Sequence, residues 1–130
     1  MEKTLDIYTC RVQDHHRLKR LGIAWLDTTV KTGTSIYAPT WTMVQQWKAK
    51  QITDREYTVQ YIQRMQKSFN HHSDQWLADL DSDRLILGCF CPPNTFCHRR
   101  LLAQMFVRVA RAYTDTDATY HGEYPLPPKD

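Results

Sequence analysis

The stretch Leu85-Ile86-Leu87-Gly88-Cys89-Phe90 is apolar on both faces that a strand would present, and Pro92-Pro93 comes shortly after it. A run of this kind suits a central parallel strand covered by helices on two sides, spanning Arg84 to Cys91. Neither proline can donate to a ladder, so the strand stops there. A helical pattern then opens near Phe96 or Cys97. Leu101, Leu102, Met105, Phe106, Val109, Ala110 and Tyr113 give it a broad apolar stripe.

Upstream segments fit the same architecture. Leu5 to Cys10 reads as a short strand, and Asp14 is placed to cap a helix over His15 to Leu21 with Leu18 and Leu21 inward. Gly22 suits the residue after that helix, because it accepts positive φ without a Cβ clash. Ile23 to Asp27 reads as a second strand, making a compact βαβ unit that closes with parallel strands. Thr28 to Pro39 has no period and reads as a loop. Thr40 caps a helix to about Lys48 with Trp41, Val44 and Trp47 as its apolar stripe. Thr53-Asp54-Arg55-Glu56 is a capping box for a helix reaching Phe69, whose buried face is Tyr57, Tyr61, Ile62, Met65 and Phe69. Asn70-His71-His72 ends it, and Ser73 caps a short helix bearing Trp76, Leu77 and Leu80. The expected fold is α/β, three-layered, with a short and mainly parallel sheet flanked by helices. Residues 1–113 form one domain, and 114–130 form a polar, Pro-rich surface tail.

Composition sets outer bounds. The chain has 130 residues, enough for one core, with 42% hydrophobic and 24% charged residues, ordinary for a soluble globular protein. No apolar run is long enough to span a bilayer, and the N-terminal residues show no signal-peptide pattern, so a cytoplasmic setting is expected. Net charge is +3, and no stretch interleaves Lys/Arg with exposed aromatics, which argues against nucleic acid as partner. Arg100, Arg108 and Arg111 read as solvated helix faces, and His15-His16 and His71-His72 as solvated pairs.

In a parallel α/β sheet, ligands bind beyond the carboxyl ends of the strands. That rule gathers Arg11, Asp27, Thr28, Thr29 and Cys91 with the helix start at Cys97, His98 and Arg99. A helix N-terminus offers unsatisfied N–H groups and partial positive charge, to which Arg11, Lys31 and Arg99 add full charges. The expected ligand is small, anionic and phosphate-bearing. Thr28 and Thr29 are sugar or phosphate partners, and Asn94 and Thr95 are ligand candidates in the turn. Tyr37 either stacks on a base or anchors its loop.

Four cysteines, Cys10, Cys89, Cys91 and Cys97, in a cytosolic chain of this size point to metal, a reactive thiol or packing. A thiol in the first turn of a helix beside His98 and Arg99 has its thiolate favoured, which makes Cys97 a candidate nucleophile with Asp27 or His98 as proton carrier. The alternative is a small buried side chain anchoring the helix. Cys89 and Cys91 share a strand face, so one of them could pair with Cys97 as a redox couple, or all three could hold zinc with His98. Cys-Phe-Cys-x5-Cys-His matches zinc spacing imperfectly, so no metal ligand and no cofactor is assigned, and Cys89 reads as core packing. A cysteine-loop-arginine phosphatase needs arginine six positions after the nucleophile. Cys97 stands six positions after Cys91, so that reading fails.

The run Cys89-Phe90-Cys91-Pro92-Pro93-Asn94-Thr95-Phe96-Cys97-His98-Arg99-Arg100-Leu101-Leu102-Ala103 resembles the C-terminal signature of domain of unknown function 488, in the short stand-alone forms of bacteria and their phages. Tyr37-Ala38-Pro39-Thr40-Trp41, Lys48 and the Tyr-rich helix from Tyr57 to Met65 extend the resemblance from about Leu5 to Tyr113. It implies a small Rossmann-like domain and carries Cys91, Cys97, His98 and Arg99 over as candidate functional residues. Larger members continue the strand-two aspartate with Val-Arg, where Asp27 precedes Thr28-Thr29. Lys31 is the candidate replacement charge.

These residues admit three functions. The first is binding of a small anionic nucleotide-like ligand. In a phage, and so in the bacterial host cytoplasm, this would be a counter-defence protein that sequesters a nucleotide-derived immune signal of ADP-ribose or cyclic-nucleotide type. The second is a Cys97-dependent enzyme that cleaves or transfers part of a nucleotide or nucleoside. The third is a zinc-stabilised interaction module. A site shared across a homodimer is compatible with all three.

Overall fold

In the computed structural model, which describes residues 3–11, 15–30, 33–89 and 97–125, the apolar run becomes β3 (Arg84–Cys89), central in a four-stranded sheet. Beside it lies β1 (Lys3–Arg11), paired in parallel from Asp6 opposite Arg84 to Arg11 opposite Cys89. The outer strands are β2 (Leu26–Asp27), against β3, and β4 (Thr116–Glu123), against β1. All pairings are parallel, and the order is β2-β3-β1-β4. Among the described residues the helices are α1 (His15–Arg20), α2 (Trp41–Lys48), α3 (Asp54–Asp79) and α4 (His98–Tyr113).

The main core lies on one face of the sheet. There Leu5, Ile7, Leu85, Leu87 and Ala118 meet Tyr61, Met65 and Trp76 of α3 and Leu102, Phe106 and Ala110 of α4. The opposite face is covered more thinly, by Leu18 of α1 packed with Cys10 and Ile86. This is the expected α/β arrangement of a Rossmann-like domain with helices flanking a parallel sheet. No helix among the described residues is long and apolar enough to cross a membrane.

Local signals hold at several termini. Thr40 accepts the amide of Met43 and caps α2. Thr53 and Glu56 form the reciprocal capping box of α3. Gly22 takes φ 71° after α1. Asp14, the expected cap of α1, lies outside the described residues.

The break expected at Asn70-His71-His72 is present: residues 54–79 run as two helical segments joined across a kink, where His72 leaves helical geometry (φ −131°, ψ 35°). The backbone turns at the expected place, and the Trp76 indole bridges the kink by donating to Ser68 Oγ (3.1 Å). The second strand is only two residues long, and β3 lies between it and β1. Leu21, Trp41 and Tyr113, expected to face inward, are exposed: Leu21 follows the last residue of α1, and Trp41 and Tyr113 are the first residue of α2 and the last of α4.

The largest departure is the expected surface tail. Its residues 116–123 are β4, a full strand of the sheet, while 126–130 lie outside the described residues. Thr116 and Ala118 are buried in alternation with exposed Asp117 and Thr119, and Tyr120 meets Thr9 through its hydroxyl (3.0 Å). Near its end β4 carries an irregularity in register between Ile7 and Thr9, where Gly122 adopts φ 88°. Bulges of this kind bend a strand and re-aim the next side chain. Here that side chain is Glu123.

Candidate functional site

The aligned strand ends bring Arg11 of β1 opposite Cys89 of β3. Next to them, β2 leads into Thr28, whose amide (3.0 Å) and hydroxyl (2.8 Å) both donate to the Gly88 carbonyl. Asp27 Oδ1 accepts the Thr29 amide at 2.9 Å, and Thr29 Oγ1 accepts that of Gly33 at 3.1 Å. A Cβ on Gly33 would lie 2.5 Å from the Asp27 carbonyl oxygen, so only glycine allows the loop to close this tightly. The turn that carries Thr28 is therefore locked by backbone contacts on both sides.

The first turn of α4 descends onto this turn. Cys97 is its N-cap, in extended geometry and without a side-chain capping bond. His98 Nε2 lies 2.8 Å from the Thr28 carbonyl oxygen and 3.2 Å from Thr28 Oγ1. A carbonyl oxygen can only accept, and the Thr28 hydroxyl hydrogen already goes to Gly88. Nε2 therefore carries the proton in neutral His98, and Nδ1 keeps its lone pair. That lone pair faces Cys97 Sγ at 3.6 Å. Thiol, imidazole and an orienting acceptor thus stand in series, the arrangement that activates a nucleophilic cysteine. The Tyr61 ring flanks His98 at 5.5 Å between centroids, and its own hydroxyl donates to the Tyr37 carbonyl (2.6 Å).

A second thiol completes the cluster. Cys89 Sγ is 2.8 Å from Cys97 Sγ and 3.2 Å from Arg99 Nη1. Arg99 is fully buried, and its Nη2 donates to Glu123 at 2.5 Å. Arg100 Nη2 approaches the same carboxylate at 3.9 Å. Burial alone would lower the pKa of Arg99, but the negative charges of Cys89 and Glu123 outweigh it and the pKa is raised. The guanidinium therefore stays charged within the site. At the end of β1, the buried Nε of Arg11 has no hydrogen-bond partner among the described residues.

Cys89, Cys97 and His98 present three donor atoms within 4.8 Å of one another, all buried. On tetrahedral zinc with bonds near 2.3 Å, two sulfurs stand about 3.8 Å apart. The 2.8 Å separation is well short of that, and Arg99 Nη1 lies 3.2 Å from Cys89 Sγ. The two sulfurs are in direct contact, closer than a shared zinc ion would hold them.

Of the residues expected at the site, Thr28, Cys97, His98 and Arg99 converge, and Arg11 ends the strand beside Cys89. Asp27 and Thr29 use their side chains to build the turn. Tyr37 is a core residue. It is fully buried against Trp76 and Phe106 and donates to Asp79, so it offers no face to a base. Lys31, Cys91, Asn94 and Thr95 lie outside the described residues. Glu123 escapes a reading of the sequence, whereas Cys89 is visible there as a possible redox partner of Cys97 or zinc ligand but is assigned to core packing. Glu123 falls in the supposed tail, where the weak alternation Thr116-Ala118-Tyr120 is the only signal.

A family model described as the active DUF488-N3 subclade matches residues 3–109. No curated protein and no solved structure matches the chain.

Proposed function

Because this chain belongs to the DUF488 family and sets a thiol against an oriented imidazole, we propose that it is a thiol-dependent enzyme acting on a small anionic, nucleotide-like substrate. Cys97 is the nucleophile, His98 the proton carrier and Thr28 the positioning residue. The observation that carries this reading is the bond from His98 Nε2 to the Thr28 carbonyl, which leaves Nδ1 basic toward Cys97. The description of the matched subclade as active agrees with it.

In the first step His98 takes the Cys97 proton, and the sulfur attacks an electrophilic centre of the substrate. The bond to the leaving group breaks, and the imidazolium returns its proton to that group. A water or a second acceptor, deprotonated by His98, then displaces the sulfur and regenerates the thiol. An anionic substrate suits the surroundings: Arg11 brings a buried Nε with no hydrogen-bond partner among the described residues, and the α4 N-terminus adds its partial positive charge.

Capture without turnover, as in sequestration of a nucleotide-derived immune signal, is the second reading. The same Arg11 atom favours it, since that atom needs only an anion and no chemistry. Incubating the full chain, in reductant, with a panel of nucleotides and ADP-ribose separates the two, read by native mass spectrometry and product analysis. The enzyme reading expects products from the wild type and a loss of at least about 10³-fold in turnover for Cys97→Ser, with ligand still bound. Intact ligand recovered from wild type, or unchanged turnover in Cys97→Ser, overturns it.

A further inference from the structure

The nucleophile reading leaves Cys89 without a task, although it touches Cys97 and has its own cation. We infer that Cys89 and Cys97 form a reversible intramolecular disulfide when the protein meets a small hydroperoxide. The site is thus an oxidation site as well as a candidate catalytic one. This inference rests on the thiol pair and stands whether or not the site turns over a nucleotide.

Three observations support it. First, the two sulfurs lie 2.8 Å apart, so a bond of about 2.05 Å needs a shift of only about 0.8 Å. Second, each thiol has a partner suited to its role. His98 Nδ1 faces Cys97 and can take its proton, and Arg99 Nη1 sits 3.2 Å from Cys89 and favours its thiolate. Third, both sulfurs are nearly enclosed, Cys89 at 1% exposure and Cys97 at 5%. A peroxide of a few atoms fits such access, whereas glutathione disulfide is far too large.

The steps balance. The Cys97 thiolate attacks the distal peroxide oxygen, so that an S–O bond forms and the O–O bond breaks. Cys97 is oxidised by two electrons to the sulfenic acid, and the peroxide is reduced to water or an alcohol, which leaves with the proton held on His98. The Cys89 thiol then gives its proton to His98, and the resulting thiolate attacks Cys97 Sγ. The S–S bond forms, the S–O bond breaks, and the departing hydroxide takes that proton back from His98 and leaves as water. A small dithiol reductant returns two electrons and restores both thiols. In the oxidised state Arg99 loses the thiolate and keeps Glu123.

The test uses the full chain, reduced and treated with a chelator, then exposed to one equivalent of hydrogen peroxide. Intact mass and a non-reducing peptide map are read before and after dithiothreitol. The expected result is loss of two hydrogens, a Cys89–Cys97 link and full reversal. Reaction with glutathione disulfide should be at least about tenfold slower, because the thiols are buried. In Cys89→Ser the link should vanish and Cys97 should advance to the sulfinic acid, while Cys10→Ser should still form the link. A link between Cys91 and Cys97, sulfinic acid at Cys97 of the wild type beside a free Cys89, or zinc held stoichiometrically through the chelator would each overturn the inference. Turnover is assayed in reductant, so this result and the outcome for the enzyme reading are separable.

Discussion

Thr28 holds the His98 imidazole through two atoms, and they are not equivalent. Its carbonyl oxygen fixes which ring nitrogen carries the proton, while its hydroxyl accepts from the same nitrogen at longer range. Thr28→Val removes only the hydroxyl. The Gly88 carbonyl keeps the Thr28 amide, so no buried acceptor is orphaned. Loss of the hydroxyl's bond to the Gly88 carbonyl and of its longer contact with His98 Nε2 should cost about 1–2 kcal/mol in urea unfolding, with turnover within about tenfold of wild type. His98→Gln keeps a polar side chain but cannot shuttle a proton, and should lower turnover by about 10²–10⁴-fold with little effect on ligand affinity. Equal losses in the two variants would mean that the hydroxyl, and not the backbone, sets the tautomer. The carbonyl has no sequence signature, since every residue carries one. The Cys-His step itself is legible, because both residues fall at a helix start after an apolar strand.

β4 shows what patterning misses at the level of whole elements. Its inward residues are Thr116, Ala118 and Tyr120, small or hydroxyl-bearing groups that do not register as a hydrophobic alternation. The strand forms because β1 offers it a ladder, which is a tertiary cause. By contrast, α3 is legible from its capping box and three-and-four spacing, which are local causes, and α2 from its cap, although its buried residue is Met43 in place of the expected Trp41. The loop at 35–38 lies between these cases. Its carbonyls are taken by α3 side chains, with Arg64 donating to Ala38 (2.8 Å) and Ser68 to Ile36 (2.5 Å), and this clamp drives Tyr37 into the core. No periodicity announces an aromatic turned inward by its neighbours' hydrogen bonds. The consequence of β4 for the site is Glu123. Glu123→Gln leaves the fully buried Arg99 with the Cys89 sulfur but without its carboxylate. Breaking a buried pair from one side costs about 3–5 kcal/mol, and the partial exposure of Glu123 reduces this to about 2–3 kcal/mol. Denaturant midpoints of the variant check the figure. A cost near zero would mean that β4 closes the sheet without bracing the site.

At the scale of the molecule, two buried phenols tie stability to alkaline pH. Burial raises the pKa of Tyr37 far above its ordinary value of 10.0, reinforced by the hydrogen bond it donates to Asp79 and by the charge there. Burial likewise raises that of Tyr61, helped by Tyr57 and Cys97 and opposed by Arg64. In the unfolded chain both phenols release their protons as pH passes about 10, whereas the folded protein retains them. The unfolded state therefore binds fewer protons above that point, and unfolding gains ground as pH rises. The contribution is fully present below pH about 10 and is lost above it, by up to about 1.4 kcal/mol per pH unit for each phenol. Urea unfolding from pH about 8 to about 11.5 should show a plateau and then a decline. Tyr61→Phe has no proton to lose and should remove about half of the steepness, beyond the constant cost of its missing bond to the Tyr37 carbonyl. These phenols join α3, the 35–38 loop and the α4 start into one buried unit, since Tyr61 touches His98 on one side and Tyr37 on the other. The alkaline limit of the fold should accordingly coincide with loss of the site. A decline in turnover that precedes unfolding by more than a pH unit would show the two to be uncoupled.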